Sequence, residues 1–473
     1  MSDIELCYMP ATEVLAKFKA KKLSPVELLN AQLKRIEEVG SAVNALANPN
    51  YDEAQHMAQT AEAAYAKGSA SQPLQGIPVA LKDDTPWKDH VTTIGSLILK
   101  DNVDSASSPT TERILEAGAV IHVRTTTPEF CCATVTWSRL WGVTRSPWNL
   151  DLTCGGSSGG SGSALAAGLT TLASGSDIGG SIRIPSACCG VVGFKAPYGR
   201  NPSEPPFNLD RYNHYGAMAR NVADCGLFQN VLCGPHAVDI ASIKPKFALP
   251  TEFQNIRGWK IALSYDLGFF EVSAEVRKHL DEVAAALRDA GAIVEEVDLG
   301  WTRDVIEGAD GHLVGMFGNS LRGLAEYKDL MTSYVSALCD EAVKITPTHL
   351  LRTAEIEGAM YQRLSPILSQ YRAMICPTIN DMPLAADFDP ARDKCMPNGK
   401  PGHFLYDWAM TYPFNMMSRC PVLAMPFEQT SWGAPFGVQI VGPTFEDEVV
   451  FHVGAALEKQ SPWYHSKDRR PKL

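Results

Sequence analysis

Residues 154–168 read CGGSSGGSGSALAAG and residues 175–183 read GSDIGGSIR. Glycine and serine at this density ordinarily make a flexible linker. Both stretches nevertheless run straight into apolar sequence, so the competing reading is two rigid pieces of one site. Their surroundings decide between the two.

Upstream, PLQGIPVALKDD passes through a Gly-Ile-Pro turn into a short apolar run that ends on Lys82, an odd place for a charge. The stretch TTERILEAGAVIHVR, ending at Arg124, has the pattern of a helix, a glycine stop and a buried strand. Residues 258–299 repeat that pattern: a strand over Trp259–Ser264, a helix from about Ser273 to Ala290, and a second strand in GAIVEEVDL. Such alternation predicts an α/β protein.

The N-terminal region, to about residue 70, predicts helices. Ser24, Pro25 and Glu27 form a capping box with proline at the first helical position, and Val26, Leu29, Leu33 and Ile36 line one face of a helix ending at Gly40. A second helix starts at about Tyr51 and stops near Gly68. Residues 300–372, rich in Leu, Ala, Glu and Arg without strand signals, predict a variable helical insertion. No repeat and no Pro/Ser linker divides the chain, so residues 1–473 are expected to form one domain with its core at about 71–225.

The composition narrows the class. Of 473 residues, 45% are hydrophobic and 20% charged, enough for a large core. The net charge of −11 and the lack of a long basic run before KDRR near the C-terminus argue against a nucleic-acid partner. Twelve cysteines include the pairs Cys131-Cys132 and Cys188-Cys189 in apolar runs, and MSDIELCYMP has no export signal, so buried thiols in a reducing cytoplasm are expected. Without C-x-x-C or a close histidine pair no metal is expected, and no uncharged apolar run reaches the roughly 18 residues of a membrane span.

Several motifs compete for the serine-glycine blocks. GGSSGG contains G-x-S-x-G centred on Ser158, but that pattern alone needs a converging acid and histidine. A P-loop is excluded because no Gly-Lys-Ser/Thr closes the stretch, and a dinucleotide loop lacks its third small residue after Gly162. No serine has a lysine three positions on, as a penicillin-binding type of enzyme would require. A serine enzyme of another design remains.

Three blocks in order, GIPVALKD around Lys82, GGSSGG with Ser157 and SDIGGSIRIPS with Ser181, resemble the amidase signature family of serine hydrolases. Ser181 follows Ser157 by 24 residues, the spacing of that family's two serines. Lesser matches at 92–96, 142–153, 188–200 and 437–442 extend the resemblance from roughly residue 11 to 458. It implies an α/β fold with a large mixed central sheet covered by helices on both faces, and no cofactor.

The resemblance also implies roles. Ser181 is the nucleophile, Ser157 a bridging serine after a cis bond at Gly156, and Lys82 the base. The N–H groups of Ile178, Gly179, Gly180 and Ser181 would form an oxyanion hole, unobstructed because Gly179 and Gly180 carry no side chain. Gly156, Ser158, Asp177 and Arg183 would support the loops, the last two as a buried ion pair, and Ser176 would help hold the relay. Cys131 and Cys132, after Glu129-Phe130, would border the acyl channel. A lysine accepts a proton only when neutral, and burial at a strand end disfavours the ammonium form.

The implied activity is hydrolysis of the C–N bond of small apolar or aryl amides through an acyl-enzyme on Ser181, with carbamates (urethanes) and esters as further classes. Two alternatives stand beside it. The glutamine-using subunit of tRNA amidotransferase is disfavoured by Arg419-Cys420 ahead of Pro421, where that subunit has a small Gly-rich approach, and by the absence of a tRNA-facing feature. A catalytically silent binding subunit on the same fold is disfavoured by the presence of Lys82, Ser157 and Ser181 together. Cys154 stands where many members have proline. Leu313, Met316, Phe317 and Met360 are expected to form an apolar wall if they face the site, against the competing role of ordinary helix packing.

Overall fold

The computed structural model describes residues 2–464 and 466–473. Eleven strands form one mixed sheet, in the spatial order Leu46–Pro49, Val120–Thr125, Pro78–Lys82, Leu172–Asp177, His214–Ala219, Val192–Lys195, Val422–Gln429, Pro435–Val441, Ala373–Pro377, Lys260–Leu263 and Ile293–Glu296. Val120–Thr125, Pro78–Lys82 and Leu172–Asp177 run parallel. All three are buried on both faces, which is why Pro78–Lys82 reads as an apolar run without alternation up to its terminal lysine.

Side chains of one strand point alternately to opposite faces. Val79 and Leu81 enter a cluster with Phe18, Ile114 and Phe228, from helices Ala11–Lys19, Pro109–Glu116 and Val222–Leu232. Ala80 enters a second cluster with Leu165 and Cys189, from helices Gly159–Ala166 and Arg183–Cys189. Helices therefore cover both faces. No helix among the described residues is long and apolar enough to cross a membrane.

The capping box at Ser24 and Glu27 forms, but the helix runs Pro25–Val43, past Gly40. Val39 and Val43 pack against Ala164 and Leu169, so the apolar stripe continues through the glycine. The left-handed terminal position falls to Asn44, at φ 49°, whose amide donates to the carbonyls of Trp141 and Val143. The next helix, Tyr51–Lys67, ends at Gly68 with φ +71°.

The parallel strands place two chain segments at one edge. Pro78–Lys82 ends on Lys82, and Leu172–Asp177 ends on Asp177 beside it in the sheet. The carboxyl edge of parallel strands is where α/β sheets gather their ligands. Over this edge lies a run of irregular helix: Asp304–His312, a π-helical turn Leu313–Gly318, Asn319–Leu321, a 3₁₀ stretch Arg322–Leu330, then Ser333–Ala342 and Pro347–Gln370.

Candidate active site

The glycines of the two blocks allow close packing. A Cβ on Gly156 would lie 2.6 Å from the carbonyl oxygens of both Ala133 and Val135, and the Gly156–Ser157 peptide is cis. Gly180 has φ +127°, and a Cβ there would lie 1.9 Å from Thr411 Oγ1. No side chain fits either position. Helix Gly159–Ala166 begins just after Ser157, and helix Arg183–Cys189 just after Ser181. The blocks are thus buried strand-to-helix turns, which disposes of the linker reading.

Lys82 is fully buried and meets three acceptors. Its Nζ donates to Ser157 Oγ at 2.8 Å, to Ser176 Oγ at 2.7 Å and to Asp84 Oδ2 at 3.0 Å. An ammonium has three N–H bonds, so its capacity is filled. Ser176 Oγ donates onward to Asp84 Oδ2 at 2.5 Å, and Thr85 Oγ1 donates to Asp84 Oδ1 at 2.9 Å.

These contacts correct the expectation that burial neutralises Lys82. Burial pushes its pKa down most strongly, but the Asp84 carboxylate and, to a lesser degree, Cys131 together outweigh it, and the value lies above the ordinary one. Burial likewise pushes Asp84 up, yet Lys82 and the Ser176 hydroxyl hold it below the usual carboxylate range. The resting pair is an ammonium and a carboxylate. Asp84 was not anticipated, although the second acid in KDD, two residues beyond a buried lysine, was the available signal.

Ser158 N–H donates to the Ser181 carbonyl at 3.0 Å, which draws the two blocks together. Ser158 Oγ also donates to the Ser176 carbonyl and accepts from the Ser176 N–H, each at 3.2 Å. Among the described residues no direct hydrogen bond joins the Ser157 and Ser181 hydroxyls. A continuous relay therefore needs one of these side chains to turn.

Asp177 is the hub of the Ser181 loop. Its carboxylate accepts from Arg183 Nε at 3.0 Å and Nη2 at 2.9 Å, from Asn415 Nδ2 at 2.8 Å, and from the N–H of Gly180 at 2.8 Å and of Ile182 at 3.2 Å. Arg183 also donates to the Thr411 carbonyl, Gln439 Oε1 and Asn415 Oδ1. Both side chains of the pair are fully buried. Burial alone would raise the Asp177 pKa, but Arg183 and Asn415 hold it far below the carboxylate range. Thr411, Asn415 and Gln439 lie more than 200 residues away in sequence, and of the three only Gln439 falls within a matched block, 437–442.

One expected oxyanion donor is corrected by this hub. The Gly180 N–H is turned inward onto Asp177 and is not free. For the N–H groups of Ile178, Gly179 and Ser181, no acceptor is found among the described residues, and all three residues line a cavity. Three donors therefore remain beside Ser181.

That cavity, of about 380 Å³, lies between the serine blocks and the irregular helical run. Cys131, Cys132, Leu313, Phe317, Tyr334 and Leu405 contribute to its wall. Asp310, Glu341, Lys344 and His349 also line it. Leu313 and Phe317 thus face the cavity as anticipated. Met316 and Met360 do not: Met316 is 49% exposed, and Met360 is packed in the main core. Between 313 and 317 the chain makes a π-helical turn, which changes the side-chain phase that an α-helical reading assumes.

The turn carrying Cys131 and Cys132 is anchored from two sides. Glu129 accepts from Ser96 Oγ at 2.6 Å and the Thr332 N–H at 2.5 Å, while its own N–H donates to Tyr334 Oη at 2.7 Å. Phe130 and Cys131 are both left-handed, at φ 50° and 59°. Burial pushes the Cys131 thiol up to about 11, so it is a neutral wall atom at physiological pH. The tryptophans at 137, 141 and 148 instead donate to Phe388, Thr93 and Cys189, away from the cavity lining.

The family profile described as Amidase matches residues 27–451. The chain belongs to the amidase signature family. It is a hydrolase of amide C–N bonds. It is 30% identical over 476 residues to the acylamidase of Rhodococcus erythropolis, spanning 99% of this chain and 98% of that one. It is also 36% identical over 311 residues to a glutamyl-tRNA(Gln) amidotransferase subunit of Carboxydothermus hydrogenoformans, spanning 63% of this chain and 62% of that one. Among solved structures, a bacterial aryl acylamidase of the amidase signature enzymes superposes with a TM-score of 0.90 at 28% identity, covering 96% of this chain and 97% of that one.

Proposed function

We propose that this family member hydrolyses small apolar or aryl amides, and carbamates and esters of similar shape, through an acyl-enzyme on Ser181. The observation that carries this reading is the mainly hydrophobic cavity opening on Ser181 beside three unused N–H groups, with Lys82 already hydrogen-bonded to Ser157. In the proposed sequence Ser181 Oγ attacks the acyl carbon as its proton passes to Ser157 and that of Ser157 to Lys82. The oxyanion forms at the N–H groups of Ile178, Gly179 and Ser181, where one such donor lowers the barrier by about 3 kcal/mol. The relay run backwards protonates the departing nitrogen, and water then releases the acid from Ser181. A neutral amine at Lys82 is required for the first step.

Glutamine is a poor fit to this cavity. Its α-ammonium and α-carboxylate need buried partners. Lys344 is paired with Glu341 at 2.6 Å and is mostly exposed, and Asp310 accepts from Tyr406 Oη at 3.0 Å. The test is kcat/KM measured side by side on an anilide, the matching aryl carbamate and glutamine. A preference for the anilide by at least two orders of magnitude over glutamine is expected. Preference for glutamine, above all one that depends on an added partner protein, would replace this reading with the amidotransferase one.

A further inference from the structure

The resting ion pair poses a problem that the serine relay alone does not solve. With three N–H bonds aimed at Ser157, Ser176 and Asp84, Lys82 presents a hydrogen and not a lone pair to Ser157 Oγ. Such a group cannot receive the Ser157 proton. Sending the surplus proton to solvent would leave the buried Asp84 carboxylate without its counter-charge, in a place where its side chain is only 9% exposed.

We propose that Asp84 is a positioning residue acting through Lys82: it takes one proton from the ammonium and holds it while the neutral amine serves as the base. The assignment rests on the reaction proposed for Ser181. One N–H bond of Lys82 breaks and one O–H bond forms on Asp84, so the pair keeps zero net charge. Two N–H bonds and a lone pair then face the same three neighbours, and a one-third turn about Cε–Nζ brings the lone pair onto Ser157 Oγ. Lys82 next receives the Ser157 proton and returns it, by way of Ser157, to the leaving nitrogen. Asp84 keeps its proton through acylation and deacylation. Ser176, which accepts from Lys82 and donates to Asp84, bridges the two partners.

Other charged or titratable groups face this pair. Cys131 Sγ approaches Asp84 Oδ2 at 3.5 Å from the turn after Pro128, and its thiol stays neutral. Arg124, Glu204 and Tyr215 act on Asp84 only through space. Burial pushes Glu204 up to about 7, with the Asp84 charge adding to the rise, so in Asp84→Asn Glu204 moves down, opposite to the shift expected for Lys82. An upward shift of the acid limb in Asp84→Asn is therefore not produced by Glu204.

The experiment follows two readouts against pH, fluorophosphonate labelling of Ser181 and kcat/KM on an anilide, in the wild type, Asp84→Asn and Ser176→Ala. In the wild type, activity is lost on acidification only when the pair gains a second proton, which places the acid limb at or below the ordinary carboxylate range near 4. In Asp84→Asn, Lys82 titrates alone and is inactive whenever protonated, so the limb moves up by more than about one pH unit, toward a value between the carboxylate and lysine ranges. In Ser176→Ala, Asp84 loses a donor to its charged form, and the limb moves up by a smaller amount. An Asp84→Asn protein that loses the same factor at every pH, with its limb unmoved, overturns the assignment. Should that variant fail to fold by near-UV circular dichroism, an unmoved limb in Ser176→Ala overturns it instead. Wild-type Ser181 left unlabelled at every pH would overturn the reaction itself, and the role of Asp84 with it.

Discussion

Every residue from Leu152 to Pro197 is buried except Ile178, whereas none of the residues Arg322–Leu330 is buried. The first region forms the floor of the cavity and the second belongs to the helical run above it. On the floor, the Asp177 carboxylate gathers backbone N–H groups, a guanidinium and an amide, each held in turn by other partners. The apolar helical part of the wall comes from the π turn Leu313–Gly318 and helix Ser333–Ala342, and the exposed 3₁₀ stretch Arg322–Leu330 joins them without lining the cavity. A polar atom buried without a partner is costly, so the floor tolerates little change of place. Apolar contacts are less directional, and the wall can be remodelled while the floor stays intact.

The sharpest way to break this comparison is to alter the floor. Ser181→Ala and Lys82→Ala should each lower kcat by about 10⁴-fold or more on amide, carbamate and ester alike, and the double variant should be no worse than either single one, because members of one relay act as a unit. Steady-state kinetics on the three substrates checks this. Substrate-dependent losses would mean that the floor also sets selectivity.

Asp177→Asn comes next. It leaves Arg183 buried without its carboxylate, and unfolding in denaturant should show a loss of about 3–5 kcal/mol. The Asp177 pKa is depressed in the folded chain. Its contribution is therefore complete above the unfolded value of about 3.9 and is lost as pH falls below that value. The stability gap between the wild type and the variant should accordingly narrow on acidification. A constant gap down to pH 2 would show that the loss comes from packing and not from charge.

On the wall, Phe317→Ala should change the ratio of kcat/KM for an anilide over a short aliphatic amide by about 10–100-fold, with fluorophosphonate labelling of Ser181 unaltered. The smallest effect is expected at the rim. Lys344→Ala removes an exposed pair with Glu341 and should alter kcat/KM by less than about fivefold. A larger change there, seen only with a negatively charged substrate, would give the rim a recognition role.

The same contrast explains how much was legible in the primary structure. Block spacing, the lysine at a strand end and the acid-arginine pair in SDIGGSIR are local, and through the family resemblance they single out Lys82, Ser157, Ser181, Asp177 and Arg183 as candidates. Gly180 is expected as an oxyanion donor because it carries no side chain, but which way its N–H points depends on the Asp177 side chain. Asp84 shows in the chain only as the second of two adjacent acids after Lys82, with nothing local to set it apart from Asp83. Thr411 and Asn415 come from far along the chain and carry no periodic or motif signal, and Gln439 lies in the matched block 437–442, which does not say that its side chain meets Arg183. On the wall, Leu313 and Phe317 were separated from Met316 by helix phase, which a π turn alters without a clear mark in composition, and from Met360 by its place on another helix, Pro347–Gln370, whose buried face packs in the main core. The helix end misplaced at Gly40 has the same origin, since packing of Val43 against Ala164 outweighed the local stop.

The π-helical turn over Leu313–Gly318 also bears on how such a chain can diversify. A helix that holds one residue more than an α turn needs can shed that residue and remain a helix. The side chains within the turn are then re-spaced to the α repeat, while the helical segments on either side keep their facing. Phe317 would leave the cavity and a neighbour would take its place, while Lys82, Ser157 and Ser181, on separate strands and turns, would stay where they are. One inserted or deleted codon at this turn is therefore a route to new substrates that bypasses the chemistry altogether.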